Sequence, residues 1–333
     1  MTRASGIGSW PGVDIREAAT VVRDLLVGLD VDGVTGLPYL PELPGRGPGG
    51  DLVGRTAGLL VDLPVDLQPG GWRLVDRPGR DLARTHAFWR EDLDVLAEVY
   101  DGYLGPLKIA VAGPWTLAAS LWLHRGERVV VDDGAVRDLG ESLAEGVRHL
   151  LRQVRRLVPG AELVVQYDEP SLPAVLSGEI PTASGLGRLA PVDPQSAIGV
   201  LRTVVAAAGD RPSIVHCCAA YPPLPVLRAI GAAGLALDTT LLTPRGWEGV
   251  AVALDDGMSL YAGCLPTSAE ITEREAARDV TAVWDRIGLS RRDLAAVTVT
   301  PTCGLAASTP AEAIARQRAV VDIARRLAAR AQD

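Results

Sequence analysis

The chain has 333 residues, of which 47% are hydrophobic and 22% charged, values typical of a globular enzyme with a large core. Forty-one acidic residues against thirty-three basic ones give a net charge of −8 without a basic stripe, which argues against a nucleic-acid partner. The N-terminus lacks the apolar segment of a secretory signal, and no apolar run is long enough to span a membrane. We therefore expect a soluble, cytoplasmic protein.

Short β-rich runs alternate with longer amphipathic stretches along the whole chain, and no repeat or linker divides it. The predicted strands are Gly6–Trp10, Gly33–Gly36, Leu107–Ala112, Glu162–Tyr167, Ser213–His216, Gly234–Asp238, Ser259–Gly263 and Ala296–Thr300. The predicted helices include Asp14–Leu29, Leu82–Tyr103, Gly134–Leu157, Pro194–Ala208 and Pro310–Ala329, the last with a start signal at Ser308, Thr309, Pro310 and Glu312. This alternation predicts an α/β fold in which residues 1–333 form one (β/α)8 TIM barrel, with a doubly wound open sheet as the alternative.

A Pro/Gly-rich segment and a single lysine are two further features of the sequence. The Pro/Gly-rich stretch Leu37–Gly50 is predicted to be a long loop above the barrel, because it lies too near the N-terminus to separate domains. Lys108 is the only lysine, and no GxxxxGK[ST] motif is present. Phosphate-loop chemistry is therefore excluded, and Schiff-base chemistry would depend on Lys108 alone.

Polar and sulfur side chains fall at or just after the carboxyl ends of the predicted strands. They are Ser9, Asp168, Glu169, His216, Cys218, Asp238, Cys264 and Cys303. The carboxyl ends of barrel strands meet on one face, which is the active-site face of this architecture. Residues that are remote in the sequence are therefore predicted to be neighbours in the fold.

A histidine and two cysteines have the spacing of a metal site. His216 and Cys218 are two residues apart, so both can point the same way from a strand end, and Cys303 can add a second thiolate. Zinc prefers such nitrogen and sulfur ligands, and a catalytic zinc keeps one position exchangeable. Asp238 is a candidate fourth ligand or, equally, a cap for the following segment, and Gly304 is expected to let the backbone turn sharply. The alternative is a set of buried cysteines beside a core histidine.

Together these motifs resemble the C-terminal catalytic barrel of the cobalamin-independent methionine synthases. The similar segments, in chain order, are IGSWP (Ile7–Pro11), Gly71-Trp72, Gly113-Pro114 with Thr116, QYDEPSL (Gln166–Leu172), His216-x-Cys218 and Cys303-Gly304-Leu305. The resemblance implies a Zn²⁺-dependent methyltransferase in which a zinc-bound homocysteine thiolate, or a closely related thiol, attacks a methyl group. The family's N-terminal barrel has no counterpart in this chain.

The resemblance also implies roles for individual residues. His216, Cys218 and Cys303 match the family's zinc ligands, and Asp238 is a possible shifted substitute for its glutamate ligand. The segment Ile7-Gly8-Ser9 matches the site for the homocysteine carboxylate. Asp168 and Glu42 match the acids that bind the ammonium group. Without the resemblance, Asp168 reads as a cap of the turn before Pro170 and Glu42 as a solvated loop residue.

The chain also departs from the family. Cys264 stands where the family has a proton-donating histidine, so it is the candidate catalytic acid, although a thiol is a poorer acid than imidazole near neutral pH. Ser120 stands where the family has a folate-stacking tryptophan, and Trp122 follows two residues later. The methyl donor therefore stays open between a folate and a methyl-corrinoid protein.

Two further functions compete with this one. Uroporphyrinogen decarboxylases share the fold superfamily and use an aspartate and arginines without a metal, a role that Arg46 and Arg80 could fill here. A paralogue that binds zinc or a thiol without catalysis is the other alternative, because the proton donor and the fourth ligand differ from the family pattern.

Overall fold

The computed structural model describes residues 1–268 and 271–332. The strands are β1 (Thr2–Ser5), β2 (Asp30–Val31), β3 (Val34–Leu37), β4 (Val65–Gln68), β5 (Gly71–Leu74), β6 (Gly105–Ala112), β7 (Ala161–Asp168), β8 (Ser213–Cys217), β9 (Gly234–Asp238), β10 (Ser259–Leu265) and β11 (Thr298–Pro301). The helices are α1 (Ile15–Leu26), α2 (Leu52–Ala57), α3 (Arg80–Val99), α4 (Pro114–Ser120), α5 (Asp133–Leu157), α6 (Leu172–Ser177), α7 (Pro194–Val205), α8 (Leu224–Arg228), α9 (Pro244–Asp255), α10 (Glu273–Arg286) and α11 (Pro310–Arg330).

Nine strands form one sheet in the order β2-β3-β1-β11-β10-β9-β8-β7-β6, and β4 and β5 form a separate hairpin. Every pairing in the large sheet is parallel except that of β2 with β3. Beyond β3, a single parallel bridge joins Tyr39 to Lys108 of β6, where Lys108 N donates to Pro38 O and Leu40 N donates to Lys108 O. The structure therefore confirms an α/β fold with one mostly parallel, barrel-like sheet, whose two sides meet through this bridge and not through a full strand ladder.

Two apolar clusters show which way the strand residues face. A small cluster of Leu37, Val164, Ile214, Ala236 and Tyr261 comes from five different strands and lies inside the curve of the sheet. The main core lies between the sheet and the helices. Because side chains alternate along a strand, residues two positions after the inner cluster also face the interior.

The first strand differs from the prediction. It spans Thr2–Ser5 and not Gly6–Trp10, so Ser9 lies in the loop that follows. From Gly6 onward the backbone leaves the ladder, and the carbonyls of Gly6 and Ile7 accept hydrogen bonds from the Lys108 side chain. The other seven predicted strands overlap observed strands.

The stretch Leu37–Gly50 is a loop beyond the end of β3, as predicted, and it is held against the sheet. Its leucines Leu40 and Leu43 are buried in the main core, and Glu42 forms a parallel bridge with Ser9. These apolar anchors, spaced through a Pro/Gly-rich segment, explain why it packs tightly. The predicted start of the last helix is confirmed, because Thr309 and Glu312 form a reciprocal capping box ahead of Pro310.

None of the helices in the described parts of the chain has both the length and the apolar character that a membrane span requires.

Candidate active site

His216, Cys218 and Cys303 converge at the carboxyl end of the sheet. Their potential ligand atoms all lie within 4.8 Å of one another. The two cysteine sulfurs are 3.5 Å apart. Two thiolates bound tetrahedrally to one zinc, each at about 2.3 Å, would be separated by roughly 3.8 Å. The donor set and its spacing therefore fit a zinc ion.

His216 is oriented as a metal ligand would be. It lies two residues after Ile214 on β8, so its ring faces the interior, where it is buried. Its Nδ1 is 3.1 Å from the carbonyl oxygen of Ala236. Because a carbonyl can only accept a hydrogen bond, Nδ1 carries the proton and the lone pair of Nε2 is left for a metal.

The electrostatics of the two cysteines favour one thiolate even before a metal is considered. Hydrogen bonding with the Cys218 thiol, and then with His216, lowers the pKa of Cys303 to about 4. The same sharing of a proton raises the pKa of Cys218. Thiolates are the form of cysteine that binds metals. Cys217, between His216 and Cys218, faces the helices, and burial raises the pKa of its thiol to about 12.

Asp238 does not join this group. Among the described residues, the cluster of potential metal ligands contains only the histidine and the two cysteines. One oxygen of Asp238 accepts hydrogen bonds from the backbone N–H and the hydroxyl of Thr240. The carboxylate thus caps the turn after β9, which is the other role that the sequence leaves open for it. Burial raises the pKa of Asp238.

Cys264 is not placed as the sequence predicts for a proton donor. Gly263 follows the inward-facing Tyr261 by two residues, so Cys264 points to the opposite side of β10. Its thiol is buried among side chains that include Trp247 of α9 and Val280 of α10. Burial raises its pKa to about 12, which leaves it a poor acid near neutral pH. Because side chains alternate along β10, Cys264 lies on the side of the strand opposite to the metal group.

Gly304 is needed for a close approach and not for a special backbone angle. A Cβ at this position would overlap Ser9 Oγ, and Gly304 is not among the glycines with a positive φ. The next residue, Leu305, donates its N–H to Ser9 O at 2.8 Å. The turn that carries Cys303 is therefore packed directly on the segment after β1.

The segment Ile7-Gly8-Ser9 has its carbonyls occupied and its N–H groups free. The Ile7 carbonyl accepts from Lys108 and Gln166, the Gly8 carbonyl from Glu42 N, and the Ser9 carbonyl from Leu305 N. Within the described residues, the backbone N–H groups of Ile7, Gly8 and Ser9 have no hydrogen-bond acceptor. Neighbouring free N–H donors of this kind form a binding site for an anion.

Two buried carboxyl groups, Glu42 and Asp168, lie near this segment. Glu42 is 4% exposed, and its Oε1 has no hydrogen-bond partner in the described part of the chain. Asp168 pairs in register with His216, and its Oδ1 accepts from Gln166 Nε2 at 2.7 Å. Glu42 is therefore not a solvated loop residue. The site combines an open acceptor with a second acid beside the metal group.

The pKa values of both acids are raised. Burial, followed by the charge of Asp168, raises the pKa of Glu42 to about 8. Burial also raises the pKa of Asp168 to about 6, although His216 and Gln166 oppose that change. Two acids that repel each other in a buried site are stabilised by a cation between them. An ammonium group would meet that need.

Asp168 bonds to Gln166, and its neighbour Glu169 caps a different segment from the turn before Pro170 that was considered for Asp168. Glu169 accepts hydrogen bonds from the backbone N–H groups of Trp115 and Thr116 and from the Thr116 hydroxyl. These bonds cap the first turn of α4 and leave Asp168 facing the interior. Sequence reasoning did not assign Glu169 this role, because its partners lie more than fifty residues away.

Lys108 and Gln166 are further site residues that the sequence reasoning missed. Lys108 is fully buried, and its Nζ donates to Gly6 O, Ile7 O and Gln166 Oε1. The available signal was the charge itself, since a lone lysine within the apolar run PLKIAVA requires buried partners. Gln166 lies inside the QYDEPSL motif, where the period of two places it on the side of Asp168.

The arginines that a decarboxylase would need are not brought to Asp168. The Arg46 side chain is paired with buried Asp92 and lies over the Phe88 ring. Arg80 is exposed at the start of α3.

Trp122, the candidate substitute for a folate-stacking ring, has the Arg128 guanidinium 4.7 Å and the Arg73 guanidinium 5.6 Å from its ring centre.

No protein-family model matches the chain, and no curated protein sequence is significantly similar to it. Among solved structures, it is similar to a B12-independent methionine synthase from Shewanella sp. W3-18-1 in complex with selenomethionine, with a TM-score of 0.62 and 11% identity over 96% of each chain. A similarity to β-methylaspartase from Clostridium tetanomorphum, with 15% identity over 72% of this chain and 47% of that one, has a TM-score of 0.34, too low to indicate a common fold. The chain thus has the fold of a B12-independent methionine synthase.

Proposed function

We propose that this protein is a zinc-dependent methyltransferase that acts on the thiol of homocysteine or a closely related amino-acid thiol. One observation carries the proposal: a His-Cys-Cys group lies beside two buried acids and a row of free N–H donors. The fold similarity supports it. We also infer that the sheet works as a closed (β/α)8 barrel, because the Tyr39–Lys108 bridge joins its two sides.

The three parts of the site match the three polar groups of homocysteine. The free N–H groups of Ile7, Gly8 and Ser9 would bind the carboxylate. Glu42 and Asp168 would bind the ammonium group, which offsets their mutual repulsion. Because Asp168 is adjacent to His216 in the sheet, the thiol end of the same molecule would reach the metal group.

His216, Cys218 and Cys303 would hold the zinc through one imidazole nitrogen and two sulfurs, which leaves the fourth position for substrate. Zinc bound there would supply a Lewis acid that keeps a substrate thiol deprotonated, whereas a free thiol with a pKa near ~8.5 is mostly protonated at neutral pH. The substrate sulfur would then form the new bond to the methyl carbon, and the donor would leave with the bonding electron pair. Buried walls such as Tyr261 and Ala236 exclude water below the site.

Zinc content tests the central part of this proposal, and the chain offers a matched control. We expect the wild type, purified under reducing conditions, to contain about one zinc per chain by elemental analysis, and Cys218→Ser and Cys303→Ser to lose most of it, because each removes a thiolate ligand. Cys217→Ser should keep its zinc, since Cys217 faces the helices. A wild type without zinc, or equal losses in all three variants, would contradict the proposal.

The methyl donor is proposed to be either a methylfolate or a methyl-corrinoid protein. Methionine formation from homocysteine, measured with methyltetrahydrofolate and separately with methylcobalamin, distinguishes the two. Tight binding of zinc and homocysteine without methionine from either donor would indicate a binding protein and not an enzyme.

A further inference from the structure

Lys108 is a buried cation that the reaction outlined above does not use. It lies on β6 in register with Val164 of β7, a member of the interior cluster, so its side chain enters the barrel interior. Its exposure is 0%. A buried ammonium group is costly unless all its donors are bonded, so its partners indicate its purpose.

All of the partners of the ammonium group are neutral. Its Nζ is 2.6 Å from Gly6 O and 2.8 Å from Ile7 O, and it also donates to Gln166 Oε1. These three bonds use the three donors of an ammonium group. Lys108 therefore stabilises the charges of Glu42 and Asp168 through space without donating a hydrogen bond to either acid.

The two backbone carbonyls belong to the peptide groups Gly6–Ile7 and Ile7–Gly8. In a trans peptide the C=O and N–H bonds point in opposite directions. When both carbonyls point to Lys108, the N–H groups of Ile7 and Gly8 therefore point away from it. These are N–H groups that have no acceptor among the described residues.

The sheet register gives the level of Lys108 relative to Asp168. Lys108 pairs with Val164, whereas Asp168 pairs with Ala112, four residues nearer to the carboxyl end. The ammonium group thus belongs to a level of the sheet deeper than that of Asp168, and we infer that the N–H groups on the far side of the two peptide groups face towards Asp168 and the carboxyl ends of the strands. A cation at the carbonyl end of a peptide also polarises it and strengthens its N–H as a donor.

We propose that Lys108 is a positioning residue that holds the Gly6–Ile7 and Ile7–Gly8 peptide groups so that their N–H groups bind the carboxylate of the substrate. The inference rests on the proposed function, and it concerns selectivity for ligands that carry a carboxylate. Gln166 supports the same arrangement, since its Nε2 donates to Ile7 O at 2.9 Å and to Asp168 Oδ1 at 2.7 Å.

Two ligands that differ only in the carboxylate test this role. They are homocysteine and 3-aminopropane-1-thiol, with binding to the zinc-loaded protein measured by calorimetry. For Lys108→Met we expect homocysteine to bind about tenfold or more weakly, the range for a hydrogen bond to a charged group, while the affinity for aminopropanethiol and the zinc content stay near those of the wild type.

Tyr39→Phe is the control, because the Tyr39 ring lies 5.4 Å from Nζ but its hydroxyl bonds to Gln317 and not to the peptide groups. It should not change the selectivity between the two thiols. Equal weakening of both ligands in Lys108→Met would overturn the positioning role alone. A wild type that binds neither thiol would overturn the proposed function as well.

A measurement on the wild type decides the matter if Lys108→Met does not fold. Lys108 is the only lysine of the chain, so ¹⁵N-lysine labelling gives a single side-chain signal in NMR spectra. We expect homocysteine to shift this signal and aminopropanethiol to leave it nearly unchanged. Equal shifts with the two ligands, or none with homocysteine, would overturn the positioning role.

Discussion

Single residues decide which atoms of the site are open to a ligand. His216 donates a hydrogen bond from Nδ1 to a backbone carbonyl, which leaves Nε2 for a ligand, and one oxygen of Glu42 has no partner among residues 1–268 and 271–332. The adjacent cysteines Cys217 and Cys218 face different sides of the sheet. Cys218 lies in the metal group, whereas Cys217 faces the helices. At this scale, function depends on which hydrogen bonds the fold leaves unmade.

Gly8 offers a test of the space beside Glu42. A Cβ at Gly8 would lie 3.5 Å from the Ala110 Cβ and 3.9 Å from the Glu42 carboxyl group, which are ordinary contacts. Gly8→Ala should therefore fold with a stability within about 1 kcal/mol of the wild type. Its methyl group would occupy the proposed ligand site and weaken homocysteine binding by about tenfold or more, as measured by calorimetry.

Gly6→Ala is the contrasting control for this prediction. Its Cβ would overlap the Tyr39 ring, so we expect a loss of stability that Gly8→Ala does not show. Unchanged homocysteine affinity in Gly8→Ala would mean that the substrate does not lie beside Glu42.

At the scale of elements, strand residues and the loop segments that follow the strands build the site together. The segment after β1 contacts the turn that carries Cys303, through Ser9 and Gly304. The DEP sequence at the end of β7 contributes one acid to the interior and one to the first turn of α4. Each segment is fixed by hydrogen bonds to another, so the elements hold the site rigidly.

Glu169 should be a stabilising residue without a direct role at the site. Glu169→Ala leaves two buried N–H groups and a hydroxyl without their acceptor, so we expect the free energy of unfolding to fall by about 2 to 4 kcal/mol in denaturant titrations. Glu312→Ala, which removes an exposed capping carboxylate from α11, should cost only about 1 kcal/mol. Equal losses in the two variants would contradict the expectation that the buried carboxylate of Glu169 stabilises the fold more than the exposed carboxylate of Glu312.

At the scale of the whole molecule, the buried acids connect the site to global stability. Burial raises the pKa of Glu42 from 4.5 to about 8 in the folded state. Between these values the folded protein holds a proton that the unfolded chain has lost. The free energy of unfolding therefore falls as the pH rises through this window, and the loss levels off above about pH 8.

Replacing Glu42 by glutamine should remove this pH dependence. We expect the stability of Glu42→Gln, relative to the wild type in the same metal state, to rise by on the order of 1 to 3 kcal/mol between pH 6 and pH 8. Denaturant titrations at several pH values measure the difference. Parallel curves for the two proteins would show that Glu42 does not titrate in this window.

Much of the fold and part of the site could be predicted from the sequence, because they depend on local periodicity and on residue type. Alternating apolar runs indicated seven of the strands, and the spacing of two indicated that His216 and Cys218 share a side. The signals at Thr309, Pro310 and Glu312 located the start of the last helix correctly.

Other features were decided only by the tertiary structure, because local periodicity does not fix the phase of a strand relative to its neighbours. The phase of β10, whose pairing with β11 shifts between Gly263 and Leu265, turns Cys264 towards the helices. The meeting of Cys303 with Cys218, and of Lys108 with the carbonyls after β1, depends on packing between segments 85 and about 100 residues apart. The sequence by itself determined which chemical groups are available, whereas the pairing and packing of the strands decided which of them meet, since contacts between remote segments exist only in the folded chain.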